Sequence, residues 1–238
     1  MLSIIIPTLN EEKNLGNLLR DLQEQTWINY EIIVSDSNSN DKTLEIAQKY
    51  NCRVFIEKDN NRRHPSIQRN NGAKIAKGDL LLFLDADTRL PNKYFLEKTI
   101  TEFNFRKLDI SGFYLDCDSE KLFYKFYKKT YNGIAKIAQR IKPLSLGVGI
   151  ISRKEIHDQI GGFDETIFIG EDQAYCERGA KIGKFRLIKS TNIFFSIRRF
   201  EKYGPWKTFF KIIYSTIYVL IFGPIKKKIV KYDFGNFD

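Results

Sequence analysis

The strongest constraint on the fold is an alternation, within the first 90 residues, between short apolar runs and amphipathic segments. The apolar runs are LSIIIPT, YEIIVSD, CRVFIEK and LLLFLDAD, and helical patterns separate each from the next. After the first run, for example, Leu15, Leu18, Leu19 and Leu22 recur at helical spacing. Apolar strands that alternate with helices are typical of a parallel sheet covered on both faces. The sequence therefore predicts an α/β fold with a mostly parallel central sheet.

Polar residues stand where three of these strands end. Asn10 and Glu11 follow the first strand, Asp36 ends the second, and Asp85 and Asp87 end the fourth. In such sheets ligands bind at the carboxyl ends of the strands, so we expect these residues to converge on one edge. We also expect Asn10 to cap the first helix, a role for which Asn is well suited.

Asp85 and Asp87, separated by Ala86 and followed by Thr88, form a DxD motif. Side chains two residues apart on an extended chain point the same way, so the two charges need a cation or strong donors between them. Such carboxylates can hold Mg²⁺ or Mn²⁺, which would bridge the two phosphates of a nucleotide-sugar. Acidic residues are also common in turns without any ligand, and the motif alone leaves both alternatives open.

A third acidic pair, Glu171 and Asp172, begins a predicted helix after a loop that contains glycines. Either the pair only favours the helix N-terminus, or one carboxylate is a general base that deprotonates an acceptor hydroxyl. Arginines present a similar choice. Arg69 is either a solvated helix residue or a partner of a phosphate or of the DxD carboxylates, and Arg198 and Arg199 are either solvated or bind phosphate.

The charge of the chain points to an anionic partner. Lys and Arg number 39 against 29 acidic residues, a net charge of +10. The segment 121–142 contains seven Lys and Arg residues and no acidic residue. We expect either a helix docked on the core with a solvated basic face or attachment to anionic lipid headgroups. Its predicted apolar side comprises Leu122, Phe123, Phe126, Tyr127, Ile134, Ile137 and Ile141.

The aromatic and basic segment 203–231 strengthens the membrane interpretation. Its uncharged run, 212–224, is shorter than the ~20 residues that span a bilayer, and we expect it to be interfacial or buried. We expect no signal peptide, because the start of the chain is not basic and its apolar run is short. Three well-separated cysteines, without a CxxC motif, favour buried thiols in a reducing compartment, and two histidines exclude a histidine-rich metal site.

Four stretches taken together closely resemble the family 2 glycosyltransferases in order and spacing, over residues 2 to 190. They are SIIIPTLNEEKNL, YEIIVSDSNSNDKT, QRNNGAKIAKGDLLLFLDADT and GGFDETIFIGEDQAYCERGAKIGK. The resemblance implies a GT-A fold with a Rossmann-like sheet, a nucleotide-diphospho-sugar donor, Mg²⁺ or Mn²⁺, and inversion at the anomeric carbon. The chain departs from the family in two places. SDSN stands where Asp-Asp-Gly-Ser is common, and Ser196, Arg198 and Arg199 occupy the region where many relatives have a histidine.

The resemblance also implies residue roles. Asp87 would be the principal metal ligand, with Asp85 near the ribose and the metal. Asp172, paired with Glu171, would be the catalytic base. The nucleotide-sugar pocket would comprise Pro7, Thr8, Asn10, Glu11, Asp36, Arg69, Asp85, Ala86, Arg198 and Arg199.

These inferences combine into one hypothesis. Residues 1–197 would form the GT-A domain, and residues 198–238 a basic, aromatic appendage of membrane-interfacial amphipathic helices. The protein would be a peripheral enzyme on the cytoplasmic face of the cell membrane. It would move one sugar to a hydroxyl or phosphate of a lipid-linked or glycan acceptor, since the QxxRW motif of processive synthases is absent.

Two alternatives belong to other classes of protein. One is a non-catalytic, membrane-associated scaffold with the same fold. The other is a nucleic-acid-binding protein. Its recognition modules are missing, and the basic residues are concentrated in 121–142 and the C-terminus, so no nucleic-acid partner is expected.

Overall fold

The computed structural model describes residues 1–143, 145 and 147–226, without the side chains of Leu220 and Ile221. Residues 227–238, which include the end of the predicted membrane-facing segment, lie outside it. The strands are β1 (Leu2–Thr8), β2 (Tyr30–Asp36), β3 (Arg53–Ile56), β4 (Leu80–Leu84), β5 (Ile110–Asp116), β6 (Gly149–Arg153) and β7 (Ile188–Phe194). The α-helices are α1 (Leu15–Gln23), α2 (Thr43–Lys49), α3 (Pro65–Ile75), α4 (Phe95–Phe105), α5 (Leu122–Ala138), α6 (Lys154–Gln159), α7 (Glu171–Ile182), α8 (Arg198–Tyr203) and α9 (Pro205–Phe222).

All seven strands form one sheet in the order β3-β2-β1-β4-β6-β5-β7. Every neighbouring pair is parallel except those that involve β6, which runs antiparallel to β4 and β5. Helices cover the sheet, and the predicted mostly parallel α/β architecture is confirmed. β1 is buried along its whole length, as expected for a central strand without polar alternation.

The strand register brings the predicted site together. Thr8 at the end of β1 pairs with Asp36 at the end of β2. On the other side of β1, Ile5 pairs with Phe83 of β4, so the turn that carries Asp85 follows beside the end of β1. The carboxyl ends of β1, β2 and β4 therefore form one edge.

The chain after β7 packs against α5 through aromatic rings. Phe200 in α8 is buried, and its ring contacts those of Phe123, Tyr124 and Tyr127. Beyond α9, the backbone of Ile225 forms an antiparallel bridge with Ile169, in the loop ahead of α7. In the part of the chain that the structure describes, no helix is long and apolar enough to cross a membrane.

The buried side of α5 differs from the predicted one. It comprises Tyr124, Tyr127, Tyr131 and Ala135. Much of the predicted apolar side, namely Leu122, Phe126, Ile134, Ile137 and Ile141, is exposed. Of the predicted side, only Tyr127 is buried and Phe123 is partly buried, so α5 docks on the core through one sector and leaves the adjacent apolar sector uncovered.

Candidate active site

The DxD turn is fixed by its own backbone and by the residue that precedes β6. The amide of Thr88 donates to the carbonyl of Asp85 over 3.0 Å, and the Thr88 hydroxyl donates to the carbonyl of Val148 over 3.1 Å. Ala86 is buried between the two acids. The turn thereby holds Asp85 and Asp87 at the edge predicted from the sequence.

Arg69 connects this turn to the start of α7. Its Nη2 lies 2.9 Å from Asp85 Oδ1 and its Nη1 lies 3.1 Å from Glu171 Oε1. The residue is only 2% exposed, and its guanidinium lies over the ring of Phe163, 5.2 Å from the centroid. Of the two interpretations of Arg69, the structure therefore supports the partner of the DxD carboxylates over the solvated helix residue.

Gly147 is a site residue that the sequence analysis missed. A Cβ atom at this position would lie 2.6 Å from Arg69 Nη2 and 3.3 Å from Asp172 Oδ2. Only a glycine lets the backbone pass this close to the guanidinium and the carboxylate. The signal was the GVG sequence before β6, although its third glycine is missing for a dinucleotide fingerprint.

Asp172 shares the Arg69 environment with two other acids. Burial raises its pKa to about 7; the charge of Glu171 also raises it, and Arg69 opposes the rise. Burial likewise raises the pKa of Asp85 to about 6, again opposed by Arg69 and assisted by Asp87. Burial and the neighbouring carboxylates therefore both disfavour the ionised form of Asp172, and the charge of Arg69 only partly offsets them.

A second arginine compensates the other half of the DxD motif. Arg198 forms a bidentate pair with Glu11, with N–O distances of 2.9 and 3.0 Å, and its Nε lies 2.9 Å from Asp87 Oδ2. The two acids hold the pKa of Arg198 above its ordinary value against the effect of burial. Arg198 thus joins the loop after β1 to the DxD turn. The neighbouring Arg199 accepts a bond from the Thr208 hydroxyl through its carbonyl oxygen.

Asp36 is buried and already surrounded by donors. It accepts bonds from the hydroxyl of Thr8 over 2.6 Å and from the amide and hydroxyl of Ser39 over 2.7 and 2.6 Å. Pro7 and Thr8 are buried beside it. Asp36 therefore anchors the loop after β2, and its role toward a nucleotide base stays a prediction.

The expectation that Asn10 caps the first helix is wrong. Asn10 has a φ of +54°, its side chain accepts a bond from the amide of Asn40, and α1 begins only at Leu15. An Asn tolerates the left-handed region, which lets the chain turn toward the loop after β2. Asn10 thus ties two loops of the predicted nucleotide pocket together instead of starting a helix.

A divalent cation fits this site only together with a substrate. Among the residues that the structure describes, no group of three or more His, Cys, Asp or Glu side chains is arranged to hold a metal ion. Mg²⁺ usually binds through one or two carboxylates and takes its other ligands from phosphates and water. Asp85 and Asp87 offer such a pair, and in the structure Arg69 and Arg198 compensate their charges.

The loop between α6 and α7 is held by α3 through residues that the sequence did not single out. Asn70 donates through its Nδ2 to the carbonyl of Phe163, and its Oδ1 accepts from the amide of Phe163, over 2.9 and 2.8 Å. His64, at the start of α3, packs its ring edge against Phe168 at 5.5 Å. Burial lowers the pKa of His64. No local pattern marks these contacts, which join residues about 100 positions apart.

Known proteins resemble this chain in sequence. A model of the family described as "Glycosyl transferase family 2" matches residues 3–161, about two thirds of the chain. The chain is 38% identical, over 106 residues, to the 4,4'-diaponeurosporenoate glycosyltransferase of Staphylococcus haemolyticus, covering 43% of this chain and 28% of that protein. It is 37% identical over 93 residues to a GalNAc(5)-diNAcBac-PP-undecaprenol beta-1,3-glucosyltransferase of Campylobacter jejuni, covering 37% of this chain and 30% of that protein. The chain therefore spans less than a third of these two relatives.

The fold also matches solved structures. A mannosyltransferase from Pyrobaculum calidifontis, determined with GDP-Man and Mn²⁺, superposes with a TM-score of 0.68 at 18% identity. The match covers 92% of this chain and 70% of that one. The predicted GT-A fold is thereby confirmed.

Proposed function

The chain belongs to glycosyl transferase family 2, and from this premise we propose that it is an inverting enzyme that transfers one sugar from a nucleotide-diphospho-sugar. One observation carries the proposal. Arg69 contacts both Asp85, on the donor side, and Glu171, next to the candidate base Asp172. The residues for leaving-group binding and for proton removal thus surround a single buried guanidinium.

The proposed reaction needs one base and no covalent intermediate. Asp172, in its ionised form, takes the proton from the acceptor hydroxyl, and the acceptor oxygen forms a bond to the anomeric carbon. The bond from that carbon to the diphosphate oxygen breaks, and its electron pair stays on the diphosphate. Glu171 positions Arg69 for this step, and the raised pKa of Asp172 suits a base near neutral pH.

The donor would lie along the strand-end edge. Pro7, Thr8, Asn10, Glu11 and Asp36 would line the nucleotide side, and Ala86 would lie in the DxD turn. Asp87, with Asp85, would hold Mg²⁺ or Mn²⁺, which when bound neutralises the charge of the diphosphate. Arg198 would then exchange its single Nε contact with Asp87 for a phosphate oxygen and keep its bidentate pair with Glu11, since a guanidinium donates to carboxylate and phosphate oxygens alike.

The acceptor proposal follows from the relatives and from the surface of the chain. One relative is named for an undecaprenol-linked acceptor. The exposed apolar and basic residues of 121–142 and of the described part of 203–231 suit an anionic lipid surface. We therefore place the enzyme peripherally on the cytoplasmic face of the cell membrane, with a lipid-linked or glycan acceptor. The boundary between a GT-A domain of residues 1–197 and an appendage of residues 198–238 stays a prediction.

The substitution Asp172→Asn tests the proposed base. Because Asn cannot take a proton, we expect transfer to fall roughly 10²–10⁴-fold while binding of a UDP- or GDP-sugar with Mn²⁺ persists in calorimetry. Asp158→Asn is the control, since Asp158 is an exposed acid on α6. Near-normal transfer by the Asp172 variant would remove this residue as the base. A wild-type protein that binds the donor but never transfers sugar would support the scaffold alternative.

A further inference from the structure

Two exposed apolar stripes run along α5 and α9. On α9 the stripe is Trp206, Phe210, Tyr214 and Ile217, at helical spacing and between 50% and 70% exposed. On α5 and the turn that follows it, the stripe is Leu122, Phe126, Ile134, Ile137 and Ile141, of which Leu122 and Ile141 are 84% and 87% exposed. Isolated exposed apolar residues are ordinary, but nine along two adjacent helices and the turn after α5 are not.

The two helices contact each other beside the stripes. The ring of Phe126 lies 6.0 Å from that of Phe209, and the ring of Phe123 lies 5.0 Å from that of Trp206. A groove between the helices is lined by residues of both, including Ile134 and Ile213. We call the surface formed by the two stripes the α5–α9 face.

Basic residues border the α5–α9 face, and acidic residues are missing from its two segments. Neither 121–142 nor 202–226 contains an Asp or Glu. Lys125 and Lys128 of α5 pair with Glu120 and Asp116, which precede the helix. Lys129 and Lys136 of α5, and Arg140 just after it, are exposed. On α9, Lys207 and Lys211 are exposed beside its stripe. An apolar centre with a basic border is complementary to an anionic lipid monolayer.

The helix α9 is attached to both sides of the candidate active site. At its beginning it follows α8, whose Arg198 contacts Asp87 and Glu11. At its end, Val219 packs on Gly170, the residue directly before Glu171. Just beyond, the amide of Ile225 donates to the carbonyl of Ile169 over 3.1 Å. The helix with the exposed stripe thus spans from the donor side to the loop that precedes the base.

We propose that the α5–α9 face lies in the headgroup region of an anionic membrane and that the acceptor is an amphiphile anchored in that membrane. This inference rests on the proposed function and narrows its acceptor. With α9 at the lipid surface, the loop before Glu171 faces the layer in which the polar head of such an acceptor resides. The acceptor hydroxyl or phosphate reaches Asp172 without leaving the interface, while the nucleotide-sugar enters from water.

The charge distribution favours lipid over a second copy of the chain as the occupant. A twofold contact through the α5–α9 face would bring two basic borders together, with no acidic residue of 121–142 or 202–226 to compensate them. An anionic membrane provides the compensating charge. Trp206 and Tyr214 are also of the residue types enriched at membrane–water interfaces.

Flotation of the full chain with vesicles tests the surface. We expect binding to phosphatidylcholine vesicles that contain phosphatidylglycerol, and roughly tenfold or greater loss of binding for Phe210→Glu and for Ile137→Glu. Phe105→Glu is the matched control, because Phe105 is 86% exposed and is the last residue of α4, outside the α5–α9 face. Equal flotation of Phe210→Glu and wild type would overturn the proposal. The proposal would also be overturned if the wild-type chain formed a dimer that the Phe210→Glu substitution dissociates.

Transfer to lipid tests the acceptor class. Labelled UDP- and GDP-sugars are supplied with vesicles of a total membrane lipid extract, and the label is partitioned between an organic and an aqueous phase. We expect label in the organic phase, reduced in Phe210→Glu but not in Phe105→Glu, with unchanged donor binding. Label only in water-soluble glycans would refute the membrane acceptor and leave the glycosyltransferase intact. A lack of donor binding by wild type would instead refute the proposed function.

Discussion

At the scale of single residues, the environment of Asp172 determines how the proposed enzyme would depend on pH. The carboxyl is protonated below about pH 7 because burial and Glu171 raise its pKa. Only the ionised form can accept a proton from the acceptor. We therefore expect transfer under limiting acceptor to fall about tenfold for each pH unit below this value. The measurement is a profile of kcat/KM against pH.

The variant Glu171→Gln tests the cause of this pH dependence. Loss of a negative neighbour lowers the pKa of Asp172, so the acidic limb of the profile should move to lower pH. Glu165→Gln serves as the control, since Glu165 accepts bonds from Arg62 and Asn70 outside this cluster and should leave the limb in place. If Glu171→Gln left the acidic limb of the pH profile in place, a group other than Asp172 would be responsible for it.

Residue types and strand ends predicted the acids of the site, but not how arginines join them. Asp85, Asp87 and Asp172 stand at a strand end or a helix start, where sequence patterns are informative. Arg69 lies 102 positions from Glu171, and Arg198 lies 187 positions from Glu11. Such pairs arise from the order of strands in the sheet, and no short stretch of the sequence indicates that order.

At the scale of elements, apolar runs predicted β1, β2, β3 and β4 well because each run is short and ends at turn residues. β1 and most of β4 are buried, whereas β3, at the edge of the sheet, is only partly buried. The buried side of α5 was not predictable in the same way. Its tyrosines and its exposed leucine and isoleucines are similarly apolar, and the choice between them depends on where the sheet and α9 lie. Tertiary contacts decide which sector of such a helix is covered.

Gly170 connects two elements and offers a test of their contact. It has a φ of +87°, and a Cβ atom here would lie 2.9 Å from Val219 Cγ1. We expect Gly170→Ala to lower the free energy of unfolding by about 1–3 kcal/mol, through backbone strain and a clash with α9. Urea denaturation measures this change.

The control for Gly170 is Gly133→Ala in α5. A Cβ atom there meets nothing within 4 Å, and Gly133 lies inside a helix. Alanine should therefore stabilise the protein by up to ~1 kcal/mol. Opposite signs for the two substitutions would support the contact between the loop and α9. Equal effects would contradict it.

At the scale of the whole molecule, the second half of the chain completes a sheet that the first half begins. β6 inserts antiparallel between β4 and β5, and Ile225 pairs with Ile169. Neither arrangement has a signal in the local sequence, because both are long-range pairings. The loop that precedes the candidate base Asp172 thereby lies against the end of α9, and Arg69 connects Glu171 to Asp85 of the DxD turn.

The net charge of +10 predicts how membrane binding responds to salt. Screening lengths shrink from about 10 Å at 0.1 M salt to about 3 Å at 1 M, so attraction between the basic border and anionic lipid weakens. We expect flotation on anionic vesicles to fall roughly tenfold over this range. The binding that remains would come from the apolar stripes. Neutral vesicles should show little salt dependence.

Charge reversal locates the attraction on the α5–α9 face. Lys136 and Lys74 are both exposed, but Lys136 borders the face, whereas Lys74 lies in the last turn of α3, which leads to the amino end of β4. Both substitutions to glutamate change the net charge equally. If the border acts locally, Lys136→Glu should weaken binding to anionic vesicles and flatten its salt dependence, and Lys74→Glu should do much less. Equal losses would mean that total charge alone attracts the protein, because the position of a charge would then make no difference.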